Sequence, residues 1–313
     1  MRLRVLALLA LAAAPAAALA GCGVGPGTSP GGVHLLVTRD FGQHPLKGGD
    51  RAVSPRGADT VLRLLERNHR VTTRYGGGFV QAIDGVSGGQ PGGRPHDWFF
   101  YVNGSEGAKG SAGVRVNRSD VVWWDFHDWG AAMDVPAVVG AFPEPFRHGL
   151  QGKRLPVILE CTANESQACT TAADRLAAVG VIASQATYPS PVSSDSLRIL
   201  VGPWTDLRGD FAARPLEQGP QASGVFARPA ADGRTVALLD QRGRMVRTLG
   251  PGTGLVAAAR FHDQDPTWLV TGTDDAGVRR AAQALTERVL HGRFAVAVGA
   301  GDAVPLPVLT GSP

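Results

Sequence analysis

Short runs of apolar residues, separated by turn-forming residues, divide this chain into two groups of predicted elements. The first group opens with His34-Leu-Leu-Val-Thr38, which reads as a strand. Val61, Leu62, Leu64 and Leu65 follow Asp59-Thr60, and spacings of three and four from Val61 define one helical face. Tyr75-Gly-Gly-Gly-Phe79 leads into Val80-Gln-Ala-Ile-Asp-Gly85, a further short strand region. From His96 to Asp128 two aromatic runs, Trp98 to Tyr101 and Trp123 to Phe126, flank Asn103-Gly104, a glycine-rich stretch and Ser119-Asp120. Aromatic and β-branched runs bounded by such turn signals read as strands. A helix among short strands predicts a small α+β sheet domain over 33–130.

The second group alternates strand and helix over 155–313. Leu155–Glu160, Ser196–Val201, Thr235–Leu239, Met245–Leu249, Trp268–Thr271 and Phe294–Val298 read as strands, and 170–179 as a helix. Asp240-Gln-Arg-Gly243 is expected to join two of these strands in a hairpin, and 205–217 to be helical after Trp204. Val278, Ala282, Leu285 and Val289 are spaced by four, three and four, with Asp274 and Asp275 at the start and Gly292 at the end, which predicts one helix. Leu255–Arg260 is expected to be helical too, after the Gly250-Pro-Gly-Thr-Gly254 turn. Between the groups, proline and glycine are dense from Gly130 to Pro136, at Pro143 and Pro145, and at Gly149 and Gly152. That density predicts a linker over 131–154, within which Val138, Val139 and Phe142 are apolar enough to pack. The expected fold class is α+β, a small sheet domain followed by a separate α/β layered domain.

At the N-terminus Arg2 and Arg4 precede a short apolar core that ends in Leu19-Ala-Gly-Cys22. A basic start, a short apolar core and small residues predict a secretory leader over 1–21. The final four residues resemble the bacterial lipobox, which implies a diacylated Cys22 and a membrane partner reached through that lipid anchor, with the protein on the extracellular face of the membrane. Residues 22–32 are rich in Gly, Pro and Ser and are expected to be a flexible tether. With Cys22 assigned to lipid, Cys161 and Cys169 remain of the three cysteines. Outside the cytoplasm a disulfide is the default, and the intervening residues offer only Glu165 toward the alternative, a metal site. The formal charge of +4 is scattered among acidic residues without a basic stripe, so no nucleic-acid partner is expected.

The order Gly57-Ala-Asp-Thr-Val61, Gly78-Phe79-Val80, Ile83-Asp84-Gly85-Val86, Trp98 to Tyr101-Val102-Asn103-Gly104 and Ser119-Asp120-Val121-Val122-Trp123 resembles the transcobalamin-like C-terminal domain. The resemblance implies a β-grasp fold for 33–130 and a cobalamin-type corrinoid as bound ligand. It also implies a helical-barrel partner protein and a vitamin importer. Residues 155–313 resemble no family.

The aromatic segment is the leading site. The chain is only 6% aromatic, yet a 97-residue domain would have to bury most of its rings here. Trp123 and Trp124 are adjacent and must face opposite sides of a strand, so at least one ring is expected at a surface where a flat ligand can dock. The expected ligand-binding set is Trp98, Tyr101, Asn103, Trp123, Trp124 and Phe126, with Trp98 and Tyr101 on opposite faces and Asn103 at the rim. The dipeptides His96-Asp97, His127-Asp128 and His262-Asp263 are expected to be surface loops without a metal. The chain lacks His-Glu-x-x-His and a free-thiol Cys–His pair, and nothing selects carboxylates such as Glu160 or Asp206 as acid and base. The expected function is non-enzymatic ligand binding for uptake; the alternative is a cell-envelope lipoprotein whose aromatic surface docks another protein.

Overall fold

Alternation along the aromatic strands decides the architecture, because both faces of their sheet are apolar and both must be covered. The computed structural model describes residues 32–75, 78–163, 166–191, 195–262 and 264–310. The leader, Cys22 and the tether up to residue 31 lie outside the described residues, as do Glu165 and Asp263.

The first half contains β1 (Val33–Arg39), β2 (His44–Val53), α1 (Val61–Glu66), β3 (Val71–Arg74), β4 (Phe79–Ile83), β5 (Val86–Ser87), β6 (His96–Val102), β7 (Ser105–Glu106) and β8 (Val121–Asp128). One sheet runs β2-β1-β8-β6-β7, with β1 and β8 parallel at its centre and the other pairs antiparallel. A smaller sheet holds β3, β4 and β5. Thr60 caps α1 by accepting from the Arg63 amide, and all four apolar residues of the helix are buried. They pack against Trp98, Phe100, Trp124 and Phe126 from one face of the sheet. Asn103-Gly104 turns β6 into β7 with φ of 52° and 78°, as a two-residue hairpin loop with both centres left-handed requires.

The second half contains β9 (Val157–Cys161), α2 (Gln167–Ala178), β10 (Ala183–Thr187), β11 (Leu197–Pro203), α3 (Trp204–Leu207), α4 (Pro220–Ser223), β12 (Ala227–Pro229), β13 (Val236–Leu239), β14 (Met245–Leu249), β15 (Gly254–Ala259), β16 (Thr267–Gly272), α5 (Asp275–Gln283), α6 (Glu287–Leu290), β17 (Ala295–Val298) and β18 (Ala303–Leu306). Its main sheet runs β10-β9-β11-β16-β15-β17-β18, parallel through β16 and antiparallel beyond it. The expected hairpin joins β13 and β14. On one face Leu159, Ile199, Val201, Val256 and Val270 share a core with Leu176 of α2 and Val278 and Ala282 of α5.

The opposite face meets the first sheet. Leu200, Leu255, Ala257, Leu269 and Ala297 lie in one core with Leu36, Phe41, Tyr101 and Trp123. Phe294 links the two, edge-on to Tyr101 and Trp123 at centroid distances of 5.6 and 5.2 Å. The α+β class is as expected, but separate domains are not what the contacts show, since the described residues fall in one compact unit. Residues 131–154 are correspondingly no free linker. Ala132, Val135, Val138, Val139, Phe142 and Phe146 are buried, Val138 N donates to Gly104 O at 2.8 Å, and Val139 N donates to Phe294 O at 3.2 Å. The segment fills the seam and spends its backbone groups on both halves.

Three predicted helices differ. Leu255–Arg260 is mostly strand β15, whose six residues are all buried. The single helix near 278–289 is two, because Thr286 caps α6 and accepts from the Val289 amide. Of 205–217, only the short α3 and a 3-10 turn at Arg214–Gln218 are helical.

Candidate functional site

The structure gathers the six expected ligand-binding residues but buries them. Trp98, Tyr101, Asn103, Trp123, Trp124 and Phe126 all lie between 0% and 8% exposed. Trp123 and Trp124 do face opposite sides, and so do Trp98 and Tyr101. The expectation of a ring at the surface is overturned because the second half covers the face that a lone 97-residue domain would leave open. Trp123 Nε1 donates to Thr38 Oγ1 at 2.7 Å, and that hydroxyl donates in turn to Asp125 Oδ2. Asn103 is no rim residue either. Its amide donates to Asp120 Oδ1 and Gly149 O at 2.9 and 2.8 Å, and its Oδ1 accepts from Val121 N. Those bonds lock the hairpin turn to the start of β8.

The three His-Asp dipeptides are dispersed rather than convergent. His127 is buried, not in a surface loop; its ring stacks between Phe41 and Phe99, with Nδ1 2.8 Å from Asp125 Oδ1. His96 lies on β6, its Nδ1 against Arg94 O, while Asp97 accepts from Trp129 Nε1. His262 is exposed. At the Gly250–Gly254 turn, the Gly252 amide donates to Asp274 Oδ2 at 2.7 Å. Glu160 forms a buried ion triad with Arg198 and Asp210, whereas Asp206 is exposed. Cys161 and Cys169 are disulfide-bonded across the turn between β9 and α2.

The open site lies at the edge of the seam, where β7 faces the end of β15. A groove of about 450 Å³ runs there. Val102, Val114, Leu150 and Pro266 give it apolar walls, and Glu106, Lys109, Arg115, Arg260 and Asp265 carry its charges. A second hollow of about 420 Å³ shares Glu106 and Arg260 and adds Asp134 and His262. Strand alternation sets Glu106 opposite Tyr101 in the β6–β7 ladder. The Glu106 amide is anchored to Pro136 O at 3.1 Å. Arg260 follows directly on the last residue of β15, and its guanidinium crosses the seam to donate to Ser105 Oγ at 3.1 Å.

Electrostatically the groove is unsettled. Burial, then the neighbouring Asp134 charge, push the Glu106 carboxyl up to about 7, against the pull of Arg260 and a backbone donor at Val135. Burial also raises Asp265. Among the described residues the buried Arg260 Nε finds no acceptor, and neither does the nearby Tyr101 hydroxyl find a partner. A carboxyl that changes charge near neutrality beside a guanidinium with an unused donor suits recognition of a ligand carrying amide, carboxylate or hydroxyl groups. Sequence reading missed this pair. Glu106 lies only two residues beyond Asn103-Gly104, but Arg260 bonds the adjacent Ser105 from 155 positions away, and no short motif records that distance.

Residues 58–128 match the family model described as a domain of unknown function (DUF4430), a transcobalamin-like family. The match spans α1 through β8, including β7 and the 107–117 wall of the groove. No curated protein and no solved structure matches the chain.

Proposed function

We propose that this chain is a non-enzymatic binding protein that takes a cobalamin-type corrinoid, or a flat ligand of similar chemistry, at the seam groove. The observation that carries the reading is the groove itself, where the edge of the transcobalamin-like segment faces Arg260 of the other half, whose Nε has no acceptor among the described residues. Parallel pairing of β1 with β8 and a helix on one sheet face agree with a β-grasp module. At about 450 Å³ the groove is in the range of small-molecule sites and holds an edge of a macrocycle rather than the whole. A helical-barrel partner would then supply the other face, and a lipid anchor at Cys22 would hold the complex outside the membrane beside a vitamin importer. Apolar contact with Val102, Val114 and Leu150 would supply most of the affinity, and Arg260 the orientation.

The test is a titration of cobalamin and of cobinamide followed by tryptophan quenching, with retention of the red chromophore on gel filtration. Wild-type binding that Arg260→Ala weakens about tenfold, in a variant that still unfolds in one cooperative transition well above the assay temperature, is the expected result. Absence of binding at high micromolar ligand would favour a second reading, a protein-docking lipoprotein. Met245 and Val246 support that reading, because they are exposed apolar residues on β14, the edge strand of the β12-β13-β14 sheet.

A further inference from the structure

We propose that His34, Asp50 and His291 form a binding site for one divalent transition-metal ion, of which Zn²⁺ is the simplest probe, and that the ion ties the two halves of the chain together. His34 stands on β1, Asp50 on the neighbouring β2 two pairs along the ladder, and His291 caps the end of α6. The Nε2 atom of His34 is 2.7 Å from Asp50 Oδ1, and that of His291 is 3.0 Å from Asp50 Oδ2. The two imidazoles meet edge to face at 5.6 Å.

Donor chemistry fits the ion. Two neutral imidazoles and a carboxylate suit zinc and its first-row neighbours and disfavour magnesium and calcium, which prefer all-oxygen shells. One ligand atom from each residue lies within 4.8 Å of the others. Bonds of about 2.0–2.2 Å to a tetrahedral ion place its ligands a little over 3 Å apart, so side-chain rotation closes the remaining distance. Each side chain is between 37% and 44% exposed, which leaves water access to a fourth position.

The backbone is set for this. His34 N donates to Asp120 O, His291 N to Glu287 O, and the following Gly292 N to Gly140 O. Leu36, on the same face of β1 as His34, is buried in the seam core, and its Cδ2 would lie 3.8 Å from a Cβ built on Gly292. The three residues therefore converge at the margin of the packed seam. Because His291 comes from 241 positions beyond Asp50, an ion held there bridges the β1–β2 hairpin and the far end of the chain. A ligand that binds only the folded state stabilises it by mass action, so metal should raise the melting temperature.

The experiment is calorimetry of Zn²⁺ into the purified, metal-stripped chain and into His291→Ala and Asp50→Asn, with melting curves in each case. One ion per wild-type chain is expected, at least tenfold weaker in either variant, with a zinc-dependent rise in melting temperature that the variants lose. Co²⁺ should give the visible absorption of a four- or five-coordinate nitrogen–oxygen site, absent from His291→Ala. All three side chains are exposed enough that the variants should fold; if circular dichroism shows that His291→Ala does not, His34→Gln carries the same expectation. Equal zinc binding by wild type and variants, or none by wild type, would overturn the proposal.

Discussion

Raising the pH from 5 to 9 should weaken the seam through Glu106, and Glu106→Gln should remove that part of the loss. Burial and Asp134 raise the folded-state carboxyl from 4.5 to about 7. The neutral acid is therefore the form that folding favours. Its stabilisation is complete below the unfolded value and fades as pH rises through about 7. A shift of that size corresponds to about 3 kcal/mol if the group were wholly enclosed, and its partial exposure at the groove lowers the expectation to about 1–3 kcal/mol. Glutamine keeps the shape of the neutral acid without the charge. Urea unfolding followed by circular dichroism at pH 5, 7 and 9 should give near-equal stabilities for wild type and variant at pH 5. The variant should then be more stable by about 1–3 kcal/mol at pH 9. Asp120, Glu144 and Asp265 are raised as well, by burial first, but they are present in both proteins and cancel in the difference. Parallel pH profiles for the two proteins, or a variant less stable at pH 9, would refute the reasoning.

Three further outcomes are expected. Trp123→Ala should cost about 3–5 kcal/mol in denaturant unfolding and keep one cooperative transition, since the ring belongs to a core shared by both sheets; two separate transitions would count against that core. Replacing Cys169 by Ser, or reducing the Cys161–Cys169 bond that closes a short loop, should remove about 2–3 kcal/mol, and peptide mass spectrometry without reductant should find the pair linked. Cys22→Ala should move the protein out of the membrane fraction, and unchanged fractionation would contradict a lipid anchor.

Local chemistry was readable from the sequence, and distant pairing was not. Asn103-Gly104 announces its hairpin because few other residues accept positive φ at both turn centres. The buried face of α1 follows from its spacing, and the opposed faces of Trp123 and Trp124 follow from strand geometry. Leu255–Ala259 misleads for a physical reason. An interior strand covered on both faces loses its alternation, and a run of alanines then resembles a helix. Residues 131–154 mislead in the same way, because proline and glycine mark irregular backbone without saying whether it is buried. The aromatic segment stood out as the leading site, but its burial depended on the second half, where Phe294 meets Tyr101 and Trp123. Glu106 with Arg260, and His34 with His291, are products of that same packing. No local pattern could have paired them.

Hydrogen exchange of the chain with and without cobalamin tests the central claim most directly, because it locates the ligand as well as detecting it. Binding at the seam groove predicts slower exchange at 105–117 and around Arg260, with the aromatic strands β6 and β8 unchanged in their already protected interior. Slowing confined to those strands, or no slowing anywhere at saturating ligand, would contradict it.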